Sequence, residues 1–128
     1  MSETDNQARI RIEAAKVGMI LWRNNSGVLL DATGRPVRYG LANDSPATNR
    51  VIKSGDLIGI APDGQFVSIE VKPDGWTYSG RGREAAQDNW RRLVIRHGGT
   101  ALFATSWGEV YEQIIAKHPA RADHQCGA

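Results

Sequence analysis

Ser54-Gly55-Asp56-Leu57-Ile58-Gly59-Ile60-Ala61, Pro62-Asp63-Gly64 and Gln65-Phe66-Val67-Ser68-Ile69-Glu70-Val71-Lys72 read in succession as strand, turn and strand. The proline and glycine of the middle segment suit a tight reversal. Along the second strand, successive side chains point to opposite faces. Val67, Ile69 and Val71 then share one face, and Ser68, Glu70 and Lys72 share the other. An acid and a lysine on an otherwise apolar strand require a reason, because charge inside a compact domain is costly unless it is paired or bound to metal. A cross-strand ion pair on a solvated face is one such reason; a catalytic site is the other. Asp56 opens the first strand, and the short turn can return its carboxylate to the neighbourhood of Glu70. Taken alone, Asp56 would serve equally well as a loop cap after Ser54-Gly55.

Upstream, Ile10, Ala14, Val17 and Leu21 recur at helical spacing and predict a long amphipathic helix over residues 6–22. Thr4 and Gln7 form a capping-box pattern, and Asn24, Asn25 and Gly27 supply the stop. Residues 27–32 and 36–40 flank Thr33-Gly34 and read as a hairpin. Residues 41–54, rich in Asn, Asp, Ser, Pro and Thr, predict an exposed loop of functional length. Downstream, a glycine-rich connection ends at Gly82. A helix over residues 83–97 follows, carrying Ala86, Trp90, Leu93 and Val94 and stopped by Gly98-Gly99. Residues 100–104 form a short apolar run of the kind buried at a sheet centre, and residues 107–117 a final amphipathic helix. This order predicts an α/β domain with a central mixed sheet flanked by helices, because a helical crossover into the 100–104 strand makes that pairing parallel.

A chain of 128 residues, 41% apolar and 23% charged, suits one domain, expected over residues 1–118 with residues 119–128 as a flexible tail. The longest apolar runs fall far short of the roughly 20 residues that cross a bilayer. The N-terminus lacks the basic start and apolar core of a secretory signal, so a cytoplasmic protein with no membrane partner is expected. A single cysteine, Cys126, excludes an intramolecular disulfide. His118, His124 and Cys126 show no paired spacing and are not read as a zinc site. Basic residues are uneven: Lys72, Arg81, Arg83, Arg91, Arg92 and Arg96 stand against Asp74, Glu84 and Asp88 over residues 72–96. Such a segment suits a polyanion. Arg81 and Arg83 also precede a helix N-terminus, where free amides favour phosphate. An exposed helix face accounts for Arg91, Arg92 and Arg96 equally well.

Two carboxylates with water and a phosphate oxygen make a hard, oxygen-rich site for Mg²⁺ or Mn²⁺. With Lys72 beside them the chemistry points to phosphodiester hydrolysis. Ser54-Gly55-Asp56-Leu57 followed by Ile69-Glu70-Val71-Lys72 resembles the D-(x)n-E-x-K signature of PD-(D/E)XK nucleases, and the element order α-β-β-β-α-β resembles their restriction-endonuclease-like core. Gln87 and Trp90, as Gln-x-x-Trp in the following helix, and Gly98-Gly99 before the apolar strand make the chain most similar to the VRR-type (virus-type replication and repair) nuclease domain. The resemblance spans residues 9–107. One departure is Gly55, which stands where the family often has proline.

The resemblance implies catalytic roles for Glu13, Asp56, Glu70, Lys72 and Gln87. It implies metal ligation by Asp56, Glu70, the Val71 carbonyl and Glu13, with Glu13 otherwise just the wet face of its helix. Arg81, Arg83 and Arg91 become the candidate DNA contacts, and residues 41–54 a candidate DNA-contacting loop. Trp90 fits core packing better than base stacking, since it falls in the apolar register. Similarity to the stand-alone bacterial and phage-encoded members implies a Holliday-junction-resolvase-like endonuclease acting on branched or four-way DNA as a homodimer in the bacterial cell, whose twofold symmetry would match the junction. A nuclease of flaps, ends or single strands with the same residues, and a non-catalytic DNA-binding protein on the same fold, are the alternatives.

Overall fold

The computed structural model describes residues 1–120. Most of the expected tail, with His124 and Cys126, lies outside the described residues.

Helix α1 (Glu3–Lys16) starts earlier and stops sooner than its periodicity predicts. Ser2, not Thr4, caps it, its Oγ accepting from the Asp5 amide at 3.1 Å. Gly18 then takes φ +84°, a left-handed turn that ends the helix. Ile20–Arg23 emerge as strand β1 instead of a last helical turn. Leu21 points inward from a strand, while Ile20 and Trp22 on either side of it are exposed. The apolar spacing 10, 14, 17, 21 was therefore two periodicities joined at a glycine.

Strands β2 (Gly27–Leu30) and β3 (Pro36–Tyr39) pair as the expected hairpin and form a two-stranded sheet of their own. The expected loop over residues 41–54 contains a short helix, α2 (Pro46–Val51). Its signal was present: Ser45 caps the helix, accepting from the Thr48 amide at 3.1 Å, and Pro46 occupies the first turn, where its missing N–H costs nothing.

Strands β4 (Leu57–Ile60) and β5 (Phe66–Val71) follow, then helix α3 (Gly82–Arg96) and strand β6 (Thr100–Ala104). Helix α4 (Trp107–Val110) runs on into a π-helical turn, Tyr111–Ile115. The main sheet has the order β1-β4-β5-β6, antiparallel except for the parallel β5–β6 pair that α3 connects. The protein is thus α/β with a mixed four-stranded sheet and helices packed on it. Among the described residues no helix is long and apolar enough to cross a membrane.

The core lies on one face of the sheet, where Val67, Ile69 and Val71 meet Leu57, Ile10 of α1 and Ile114 of the π-helical turn, all fully buried. Each such side chain contributes about 1.5–3 kcal/mol through burial. Helix α3 covers the opposite face over β5 and β6. Strand β5 is consequently enclosed on both sides from Val67 to Val71, and the polar side chains Ser68 and Glu70 are held indoors.

Candidate active site

The β4–β5 register sets Leu57 opposite Ile69, so one step further Asp56 lies opposite Glu70. Opposed residues of an antiparallel pair project from the same face with Cβ atoms about 5 Å apart. The backbone thereby forces two carboxylates together. Asp56 is anchored from below, its Oδ2 accepting from the Val71 amide at 2.9 Å. Glu70 and Lys72, also on that face, are each only 8% exposed.

Gln87 of α3 ties the acid to the lysine. Its Oε1 accepts from Lys72 Nζ at 2.9 Å, and its Nε2 donates to Glu70 Oε1 at 2.6 Å. Lys72 Nζ stands 3.9 Å from Glu70 Oε1 and 3.6 Å from Glu84 Oε2. It also lies 5.5 Å from the centre of the Trp76 ring and 5.6 Å from that of Phe103. Amide, acidic and aromatic side chains therefore surround the ammonium.

Burial, and then the charge of Asp56, push the Glu70 carboxyl up to about 8. Asp56 is also raised, by burial, although hydrogen bonds from the Val71 amide and from the Glu70 carboxyl work against the rise. Two such groups hold one proton between them near neutrality. A divalent cation answers the same demand, since it supplies positive charge where the acids crowd. Among the described residues no group of three His, Cys, Asp or Glu side chains converges to hold a metal. The Asp56–Glu70 pair would be completed by water, a carbonyl and substrate oxygens, a set that Mg²⁺ accepts because it retains several waters. The donor chemistry fits on those terms. The Val71 carbonyl, the expected third ligand, belongs to the residue next to Glu70.

Glu13, expected as an assisting ligand, is paired within its own helix. Its Oε1 pairs with Lys16 Nζ at 3.1 Å, and among the described residues it makes no hydrogen bond or ion pair to the cluster. The α1 carboxylate whose charge acts on Glu70 is that of Glu3. Ten residues of helix separate the two, about 15 Å at 1.5 Å per residue, so both cannot serve one site. Glu84 was missed, yet it lies one helical turn before Gln87 on the same face, the spacing that would have revealed it. Its oxygens accept from Trp76 Nε1 at 2.5 Å and from the Ser79 amide at 2.8 Å, which hold its carboxyl down at about 2. Asn6 was missed too: buried on α1, its Nδ2 donates to the Lys72 carbonyl at 2.9 Å and to Asp74 Oδ1 at 3.2 Å.

Arg81 and Arg83 flank the exposed start of α3, and the Arg83 charge lowers both Asp56 and Glu70. Arg91 is partly committed elsewhere, since its Nε donates to Asp88 Oδ1 at 2.7 Å. Lys53 is lowered by burial, and then by the nearby charges of Arg83 and Arg38. Trp90 is tied to the sheet, its Nε1 donating to Ser68 Oγ at 2.8 Å. His118 sits between Asp63 Oδ2, at 3.1 Å, and Thr100 Oγ1, at 3.3 Å, and clips the β4–β5 turn to β6.

Gly55 is explained by space. A Cβ built there would stand 2.5 Å from Ser68 Oγ and 3.0 Å from the Ile69 carbonyl oxygen, so a side chain next to Asp56 would have to push β5 aside. No protein-family model matches the chain, and no curated protein or solved structure matches it either.

Proposed function

We propose that the chain is a metal-dependent endonuclease of the PD-(D/E)XK type, similar to VRR-type domains, which hydrolyses phosphodiester bonds in DNA. The observation that carries this reading is the convergence of Asp56, Glu70 and Lys72: one carboxylate just before β4 and one on β5, in contact with each other, with a buried ammonium 3.9 Å from the second. A structural ion pair would need one acid and one base. Here a second acid is forced into the same enclosed space, which destabilises the protein unless the site has a use for it.

Mg²⁺ or Mn²⁺, when bound, supplies Lewis-acid polarisation of the phosphate and an acidified water. Asp56 and Glu70 would hold it, with the Val71 carbonyl beside them. Lys72, oriented by Gln87, presents its Nζ to the non-bridging oxygens, where negative charge grows in the transition state. Gln87 spans Lys72 and Glu70 and so keeps the base and the acid at a constant separation. Lys53, Arg83 and Arg38 crowd closely enough to depress Lys53, which supports a phosphate-binding rim beside the acids. Arg81 extends that rim along the exposed start of α3. A homodimer with two such sites would suit a four-way junction, whose two strands are related by the same symmetry.

The test compares cleavage of a four-way junction, a flap and a linear duplex in Mg²⁺ and in EDTA. Metal-dependent cutting, greatest on the junction, is expected. The Lys72→Ala variant should bind the junction while losing cleavage by about 10²–10³-fold, the usual effect of removing one transition-state donor. Cleavage that survives EDTA, or that Lys72→Ala leaves unchanged, removes the mechanism.

A further inference from the structure

The side of the site at Lys72 is aromatic, and its outermost ring, Tyr78, has no task in the proposed chemistry. Phe103 of β6 is the register partner of Glu70 on the parallel β5–β6 pair, so its ring starts beside the acid. Trp76 packs on Phe103 with ring centres 5.1 Å apart, and Tyr78 stands 5.8 Å from Phe103 and 6.4 Å from Trp76. Trp76 and Phe103 flank the Lys72 ammonium and are partly buried, whereas Tyr78 is 48% exposed. One cluster therefore reaches from the catalytic lysine to open solvent.

The segment that carries these rings is braced. Glu84 accepts from Trp76 Nε1 and from the Ser79 amide, the Ser79 hydroxyl accepts from the Arg81 amide at 3.3 Å, and the Trp76 amide donates to the Pro73 carbonyl at 3.2 Å. Gly80 lies against the Tyr78 ring, so closely that a Cβ there would touch its Cε2 at 3.4 Å. A half-exposed aromatic ring on a braced segment loses little conformational freedom when a flat partner stacks on it. The neighbours of the segment in sequence, Arg81 and Arg83, are cationic and suit the phosphates on either side of such a partner.

We propose that Tyr78, backed by Trp76 and Phe103, is a stacking subsite for an unpaired nucleobase next to the scissile phosphate. The inference rests on the nuclease reading and deepens it: the substrate is DNA whose strand is splayed or single-stranded at the cut, as at a branch point, and not continuous duplex. A base held in a duplex stack presents its edge, and only an unstacked base offers a face to a ring.

The test has two arms. In the first, wild type, Tyr78→Ala and Tyr78→Trp are assayed in Mg²⁺ on a branched DNA, intact or carrying an abasic residue at each position within three nucleotides of the mapped cut. Tyr78→Ala should raise KM about 5- to 20-fold, as loss of one base–aromatic stack does, with kcat little changed, and Tyr78→Trp should restore it. One abasic position should weaken wild type by the same factor and leave Tyr78→Ala unaffected. A KM for Tyr78→Ala equal to that of wild type, or an abasic penalty the variant retains, overturns the subsite. In the second arm, a 2-aminopurine-labelled single strand is titrated with Ca²⁺ in place of Mg²⁺, with its paired duplex as control. Wild type should quench the single strand and Tyr78→Ala should not; equal quenching overturns the proposal. Should wild type cut no DNA, the nuclease reading falls, and the second arm alone decides whether the rings hold a base. Tyr78 is exposed, so its variants fold, and coincident melting curves verify it.

Discussion

Raising the pH should weaken the metal-free protein, and Glu70 should be the cause. The Glu70 carboxyl moves from 4.5 to about 8 on folding, so between those values the folded protein holds a proton that the unfolded chain has released. Stability from this group is fully present below its unfolded pKa and is lost as pH rises through its folded one. Integrated from about pH 6 to about pH 8, one such group removes about 2 kcal/mol, and the rise of Asp56 acts in the same direction. For a domain of this size that lowers Tm by roughly 5–10 °C. On the proposed reading, in which Mg²⁺ is held by the folded acids and not by the unfolded chain, Mg²⁺ at tenfold its Kd should return about 1.4 kcal/mol at the higher pH. Glu70→Gln keeps the shape and removes the titration, so it should melt with a flatter pH profile and show no response to Mg²⁺. Differential scanning fluorimetry at both pH values, with and without Mg²⁺, reads all of this. A wild-type Tm that is level or rising over that range, or a Glu70→Gln variant with the wild-type slope, refutes the argument that two crowded acids share one proton.

Gly55→Ala places a methyl 2.5 Å from Ser68 Oγ, a buried hydroxyl held by Trp90; chemical denaturation should show a loss of about 1–3 kcal/mol, as overpacking costs elsewhere. Gln87→Leu removes the bridge between Lys72 and Glu70, and single-turnover cleavage should slow about 10- to 100-fold, the scale of losing a supporting shell around a metal or catalytic group, while junction binding persists. Glu13→Gln should cleave within about twofold of wild type, the scale of a substitution outside the reacting groups, because its carboxylate is paired with Lys16; a large loss would give Glu13 the role the resemblance implies.

The alternation of Val67, Ile69 and Val71 with Ser68, Glu70 and Lys72 was readable without coordinates, because side-chain direction in a strand has period two and needs no partner to define it. The turn at Pro62-Asp63-Gly64 and the strand over residues 100–104 were equally local, one a backbone preference and the other a short apolar run between punctuating residues. Local signals also existed for what went unread: Ser45-Pro46 for α2, Gly18 for the end of α1, and the spacing of Glu84 from Gln87.

Residues far apart in sequence behaved differently. Which α1 carboxylate acts on Glu70 depended on where the helix ended and how it crossed the sheet: the family resemblance pointed to Glu13, whereas packing brought the charge of Glu3 into range. The meeting of Lys72, Trp76 and Phe103 required the parallel β5–β6 register, which no nearby residue encodes. The sequence by itself determined the strand-turn-strand pair around Pro62-Asp63-Gly64, the helix that follows it and the shared face of the acid and lysine, since these follow from backbone geometry within a few residues. Only the tertiary structure decided that this face is buried under α3, because burial is a property of what packs on a strand, and burial is what turns two ordinary carboxylates into a pair that retains a proton near pH 8.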